Sequence, residues 1–311
     1  MATKLVIGTR GSKLALFQAN LVKSKLEKAY PTLEVVINII RTKGDKILDI
    51  ALSKIGDKGF FTKEIQDELH KKHVDIAVHS LKDLPTELPK GTRIGAIMER
   101  ASHRDVLVSI DGKKLADFTS EDKIATSSLR RKSQLLQINK EFKVIEIRGN
   151  VDTRIRKMHD GHCQGLIMAA AGIERLGLQE HISEYLNETQ MLTAPGQGAI
   201  AIEIRDKDNE VLELLSVLNH NETAICVTAE RSFLNRLEGG CQIPYAAHAT
   251  LDGDTLTVEG LVATLDGRKI QRGKIIGNSK DAIQLGIDLA NSIQDNGGYE
   301  ILEEVKREMN N

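Results

Sequence analysis

The chain has 311 residues, 41% of them hydrophobic and 28% charged, a composition that excludes collagen-like and disordered classes and allows two or three domains with cores of their own. Lys plus Arg number 43 and Asp plus Glu 44, for a net charge of -1, so no global field draws the protein to nucleic acid or a membrane surface. Any anion site must come from local clustering. Aromatic residues are 3% and Trp is absent, so the cores are aliphatic. Cys163, Cys226 and Cys241 are odd in number and show no CxxC spacing, which argues against a disulfide framework or a zinc site and fits a reducing cytoplasm. The start of the chain lacks the apolar stretch of a secretory signal, and no run of 18 apolar residues is long enough to span a bilayer.

In chain order, Lys4 to Gly8 reads as a strand and Leu14 to Leu26 as a helix, with apolar residues at 14, 17, 21, 22 and 26. Glu34 to Ile40 is again strand-like, Thr62 to Lys72 helical, and Val74 to Val78 a strand. The rhythm continues through strands at Asp105–Ser109, Ile124–Ala125, Val144–Ile147 and Leu166–Met168. Strands alternating with helices predict a mainly parallel α/β sheet with functional loops at the carboxyl ends of its strands. The tail differs. Ala246–Thr250, Thr255–Ala263 and Lys269–Ile276 are consecutive strands joined by Asp-Gly turns, and the helical stretch Thr223 to Leu237 before them belongs to either side of the boundary. Asp281 to Ile293 closes a small α+β unit, with Asn219-His220-Asn221 as a boundary near it.

From Lys123 to Lys157 ten Lys or Arg face three Asp or Glu, a local balance of +7. A charge run by itself is commonly a solvated face. Here its placement argues otherwise. Ile124-Ala125 is followed by Thr126-Ser127-Ser128, hydroxyls suited to a helix N-cap, and then by Arg130 and Arg131 in the first helical turn. Cations there oppose the helix dipole, which points to an external anion, and Arg offers a planar two-point donor for carboxylate or phosphate. Strand Val144–Ile147 likewise runs into Arg148-Gly149-Asn150 with Arg154 in the next helix, and strand Lys4–Gly8 runs into Thr9-Arg10-Gly11-Ser12. In one doubly wound sheet these three strand ends would converge. The strand at Val74 ends in His79-Ser80-Leu81-Lys82-Asp83, where Asp83 is a candidate carboxylate among cationic donors, His79 reads as a structural hydrogen-bonder and Asp75 receives no role. Cys241 follows two glycines in Glu238-Gly239-Gly240-Cys241, a setting unlike an inert core cysteine. Cys226 sits in an apolar helical stretch and reads as core, and Cys163 lies in a turn with no partner evident. No Walker loop or GxGxxG supports nucleotide chemistry.

The ordered set Thr9–Ala15, Asp75–Asp83, Thr126–Arg131, Arg148–Arg154, Gly196-Gln197-Gly198 and Glu238–Pro244 resembles hydroxymethylbilane synthase, the porphobilinogen deaminase family. Asp152 departs from the small residue expected there and puts an acid inside the basic segment. The resemblance implies an α/β fold with two lobes like type II periplasmic binding proteins and a small α+β C-terminal domain. It places domain 1 at 1–98 and 199–216, domain 2 at 99–198 and domain 3 at 217–311.

It further implies a transferase that joins four porphobilinogen molecules head to tail with release of ammonia, built on a dipyrromethane cofactor attached through Cys241. Asp83 is then the catalytic carboxylate. Lys82, Asp83, Thr126, Ser128, Arg130, Arg131 and Arg148 hold the cofactor, and Arg10, Ser12, Arg148, Arg154, Arg175 and Gln197 hold substrate. Phe61, on the glycine-rich stretch Lys58-Gly59-Phe60-Phe61, reads equally as part of a mobile lid or as a core aromatic. The partners implied are porphobilinogen and the growing oligopyrrole, with no nucleic acid, no membrane and a monomeric cytoplasmic chain. The rival reading is a non-catalytic two-lobed module that recognises a dicarboxylate.

Overall fold

The structure, a computed structural model, describes residues 3–46, 62–237 and 243–310. In chain order these form β1 (Lys4–Thr9), α1 (Lys13–Ala29), β2 (Glu34–Ile39), α2 (Lys43–Lys46), α3 (Lys63–His70), β3 (Ile76–Ser80) and β4 (Thr92–Ile97). There follow β5 (Asp105–Ser109), β6 (Lys123–Ala125), α4 (Leu129–Ile138), β7 (Lys143–Ile145), α5 (Val151–His159), β8 (Gly165–Ala169), α6 (Ala170–Arg175) and β9 (Ile182–Tyr185). The remainder is β10 (Ile200–Arg205), α7 (Asn209–Leu215), α8 (Asn221–Arg236), β11 (Tyr245–Asp252), β12 (Thr255–Ala263), β13 (Ile270–Asn278), α9 (Ala282–Ile293) and α10 (Tyr299–Asn310). The described chain divides into two compact units, passing from one to the other at 101/102, back at 197/198 and again at 224/225 inside α8.

The first unit holds a five-stranded sheet in the order β2-β1-β3-β10-β4. β1 pairs in parallel with β2 and β3, whereas β10 is antiparallel to both β3 and β4. Its core is aliphatic, as the composition requires: Leu5, Ile7, Ile76, Val78, Ile202 and Ile204 pack with Val22 and Leu26 of α1. Ser12 ends the approach to α1, its hydroxyl accepting from the Ala15 N–H at 3.3 Å. The buried face of α1 is Gln18, Ala19, Val22 and Leu26, and Phe17 of the expected apolar set is exposed.

The second unit contains the sheet β7-β6-β8-β5-β9 and the three-stranded antiparallel sheet β11-β12-β13. The five-stranded sheet repeats the plan of the first. β6 is parallel to β7 and β8, and the fourth strand, β5, runs antiparallel to β8 and β9. The expected α/β lobes and α+β tail are therefore present, and each large sheet is mainly parallel, four of its five strands running one way and the fourth in order running against them. In each, that reversed strand follows a crossing between units in the chain, β5 after 101/102 and β10 after 197/198. The Arg-bearing ends of β6 and β7 are neighbours, while that of β1 belongs to the other sheet. In the tail, Ala282, Leu285, Leu289 and Ile293 recur at helical spacing on α9 and bury against Phe233, Leu256 and Val258. Among the described residues no helix is long and apolar enough to cross a membrane.

Candidate functional site

In the first unit β3 runs two residues further than its apolar run suggests, because β10 continues to pair with it as far as Ser80. His79 and Ser80 are strand residues, and Lys82 and Asp83 lie on the short 3-10 turn Leu81–Asp83 that follows. Asp83 is exposed and Lys82 half-buried. A small open pocket is lined by Arg10, Ser12, Gln18, His79, Ser80 and Asp83, so the ends of β1 and β3 converge as adjacent parallel strands should. Gln18 of α1 donates to the Ser80 hydroxyl at 2.8 Å.

Beneath this turn Glu203 of β10 is fully buried. Its carboxylate accepts from Thr92 Oγ1 at 2.7 Å and from Gln66 Nε2 at 3.1 Å, and His79 Nε2 lies 3.0 Å from it. Burial pushes the Glu203 pKa up, but the hydrogen bonds from His79, Thr92 and Gln66 outweigh it and hold the group below its usual value. His79 is thus engaged in structure, as its sequence setting suggested. Asp75, given no role from sequence, accepts from the Val6 N–H at 2.8 Å and meets Arg205 at 3.3 Å.

In the second unit β6 ends in Ala125 and the hydroxyl run begins. Thr126 Oγ1 accepts from the Ser128 N–H, Ser127 donates to the Ile147 carbonyl, and Ser128 Oγ faces the Arg131 N–H as the cap of α4. Arg130 and Arg131 are only 6% exposed, and they converge on Asp105, which is fully buried at the start of β5. Arg130 Nη1 donates to Asp105 Oδ2 at 2.7 Å and to the Leu192 carbonyl. Arg131 donates to Asp105 Oδ1 from Nη2 at 2.8 Å and from Nε at 3.2 Å, and to the Ile167 carbonyl from Nη1. Burial alone would raise the Asp105 pKa; the charges of the two arginines overcome it and hold the carboxyl far below the usual range.

Two consequences follow for anions. One buried carboxylate against two guanidinium groups leaves a surplus of one positive charge. Each guanidinium has five N–H donors. Arg130 commits two of them to protein and Arg131 three, which leaves five of the pair's donors uncommitted among the described residues. A ligand rich in carboxylates fits such a donor set.

The end of β7 leads through Ile147 to Arg148 and Gly149. Gly149 has φ +121, and a Cβ there would stand 2.7 Å from Thr153 Cγ2, so the position demands glycine. Its carbonyl accepts from Arg154 Nε at 2.7 Å, and the Arg148 carbonyl accepts from Lys157 at 3.1 Å. Arg175 ends α6 half-buried, and burial lowers its pKa. Gln197 is fully buried, and its Nε2 donates to the His103 carbonyl at 2.7 Å and to Asp105 Oδ1 at 2.9 Å. Both its amide hydrogens are therefore directed into the protein.

Cys241 and Phe61 lie outside the described residues. Cys163 is fully buried, and burial pushes its thiol up to about 11. Cys226 packs in the core of the C-terminal sheet. Among the described residues no group of His, Cys, Asp or Glu is arranged to hold a metal ion. Sequence reasoning missed Asp105, Glu203 and Gln18. The one local signal for Asp105 was an acid opening an otherwise apolar strand.

Comparison with known proteins gives a consistent picture. The family model "Porphobilinogen deaminase, dipyromethane cofactor binding domain" matches residues 5–213, and "Porphobilinogen deaminase, C-terminal domain" matches 224–295. A porphobilinogen deaminase of Syntrophomonas wolfei is 50% identical over 303 residues, covering 97% of this chain and 99% of the relative. One of Syntrophobacter fumaroxidans is 46% identical over 301 residues, covering 97% of each. Among solved structures, the methionine binding protein MetQ is similar at a TM-score of 0.46 and 10% identity, over 71% of this chain and 92% of that one.

Proposed function

The chain belongs to the porphobilinogen deaminase family, and from that premise we propose that it joins four porphobilinogen molecules head to tail, releasing ammonia at each step, on a dipyrromethane held covalently by Cys241. The observation that carries the reading is the arginine pair around Asp105, with its surplus charge and its five uncommitted donors. Every porphobilinogen ring brings an acetate and a propionate. Removing such carboxylates from water without partners is very costly, and guanidinium groups fixed in advance offset that cost.

Thr126, Ser128, Arg130, Arg131 and Arg148, together with Lys82 and Asp83, are the residues we assign to the cofactor. Arg10, Ser12, Arg154 and Arg175 take substrate carboxylates. When bound, dipyrromethane supplies a nucleophilic pyrrole carbon as the primer for chain growth. Asp83 acts on the substrate. Loss of ammonia from the aminomethyl group leaves a cationic methylene-pyrrolenine, and the Asp83 side chain on the exposed turn stabilises that cation and accepts the proton that its coupling releases. Cys241 serves as a permanent anchor and does not turn over. We read the chain as a cytoplasmic monomer of three domains, the third beginning near residue 217.

Intact-mass measurement of purified, active protein tests the reading directly. The expected mass exceeds that of the sequence by one dipyrromethane, and porphobilinogen consumption matches ammonia release. Active protein at the unmodified mass would remove the cofactor assignment, and a loaded or unloaded chain that binds dicarboxylates without releasing ammonia would favour the binding module.

A further inference from the structure

We infer that Asp105 and Gln197 are positioning residues for the arginine pair, fixing both guanidinium groups so that their uncommitted donors meet ligand carboxylates in one orientation. The inference rests on the reading of Arg130 and Arg131 as carboxylate ligands.

The two residues stand at the two crossings of the chain. Asp105 opens β5 just after the chain enters the second unit, and Gln197 is the last residue before it leaves. Both are fully buried. The Gln197 amide grips the entering segment at the His103 carbonyl at 2.7 Å, at Asp105 Oδ1 at 2.9 Å and more loosely at the Arg104 carbonyl at 3.4 Å. Asp105 in turn receives three bonds from the arginines. Two adjacent guanidinium groups in the first turn of α4 repel each other and oppose the helix dipole. A shared internal carboxylate converts that repulsion into a fixed geometry, and a donor that orients the carboxylate fixes it further.

The Gln197 turn is itself held. Gly196 and Gly198 have φ of +73 and +89, left-handed backbone on both sides of Gln197 that glycine alone adopts without strain. The Gly196 N–H donates to Glu230 Oε2 at 2.7 Å, and Glu230 Oε1 accepts from the Ala249 N–H at 2.9 Å. Glu230 is fully buried on α8, whose last residue, Arg236, precedes Cys241 by five positions in sequence. A hydrogen-bonded series thus runs from the helix before the anchoring cysteine, through Gly196-Gln197 and Asp105, to the arginines that receive carboxylates.

The test follows dipyrromethane loading. Unloaded full-length chain is incubated with porphobilinogen and its mass gain is timed, with circular dichroism giving the folded fraction. Per folded molecule, Gln197→Leu and Asp105→Asn are expected to slow loading about tenfold, and in an Arg131→Ala background Gln197→Leu is expected to add little further. A purely structural role would lower the folded fraction and leave the rate of folded molecules unchanged, which would overturn the inference. Full multiplicative effects of Gln197→Leu and Arg131→Ala would overturn it as well. If Arg130→Ala and Arg131→Ala themselves load normally, the reading of the arginines fails, and the inference falls with it. Should Gln197→Leu not fold, the near-isosteric Asp105→Asn decides alone.

Discussion

Asp83 and Gly172 stand at matching stations of two sheets: each is the third residue after the middle strand, β3 in one unit and β8 in the other. The sheets share strand order and direction, yet the third position after β3 carries an acid where the third position after β8, in α6, carries a glycine. A single carboxylate beside a forming cation is the arrangement that deamination requires.

Asp83→Asn therefore separates chemistry from assembly. Asp83 is exposed, so folding stability should change by no more than about 0.5 kcal/mol. Ammonia release should fall by about a hundredfold or more, with dipyrromethane attachment less affected. A steady-state ammonia assay showing near-normal rates would contradict the role given to Asp83.

The Arg148-Gly149 turn makes a second prediction. Arg148→Ala and Arg154→Ala should impair loading or elongation while leaving the unfolding midpoint close to that of the parent. Gly149→Ala should do both kinds of damage, because a side chain at φ +121 is strained and meets Thr153. A destabilisation of about 1–3 kcal/mol is expected in denaturant titrations, with elongation slowed because Arg154 is tied to the Gly149 carbonyl. Wild-type kinetics in both arginine variants would remove the clamp from the mechanism.

Acid sensitivity follows from the two buried carboxylates. Asp105 and Glu203 both have folded pKa values below their ordinary ones. Their stabilisation is fully present above the unfolded carboxylate value of about 4 and is lost as pH falls toward and through the folded values. Asp105→Ala, which leaves two buried guanidinium groups without their counter-charge, should cost about 3–5 kcal/mol at pH 7. The stability gap between parent and either Asp105→Ala or Glu203→Gln should narrow below about pH 4. Urea titrations followed by far-UV circular dichroism suit a chain without Trp. A gap that stays constant from pH 7 to pH 3 would show that these groups do not titrate as their surroundings require.

The cysteines give a labelling test of the anchor. Cys163 is fully buried with its thiol pushed up to about 11, and Cys226 is packed in the core, so neither should alkylate in native protein near pH 8. Peptide mapping after iodoacetamide should find label on Cys241 in the unloaded chain and on no cysteine in the loaded one. Label on Cys241 in fully loaded protein would exclude it as the anchor.

Much of this was legible in one dimension because its causes are local. The apolar runs of β1, β2 and β12 set their strands, Ser128 announced the start of α4, and the surroundings of Cys226 marked it as core. What stayed hidden depends on partners far away in sequence. Glu203 is an unremarkable acid until β10 sets it beside His79, 124 residues earlier. Asp105 and Arg130 are 25 residues apart, and nothing near either of them announces the pair. The single reversed strand of each large sheet stayed hidden for the same reason, since local alternation of strands and helices does not record that one strand will run the opposite way.

The position of β10 also bears on how the polypeptide is made. β10 lies between β3 and β4 in its sheet, yet a ribosome reaches it only after all the strands of the other five-stranded sheet, β5 to β9, have been synthesised. During translation the sheet begun first is completed only after the other five-stranded sheet. Until about residue 205 is available, the β3 edge has no neighbour on that side and β4 has no strand to join, so nascent chains halted before that point should be the aggregation-prone ones.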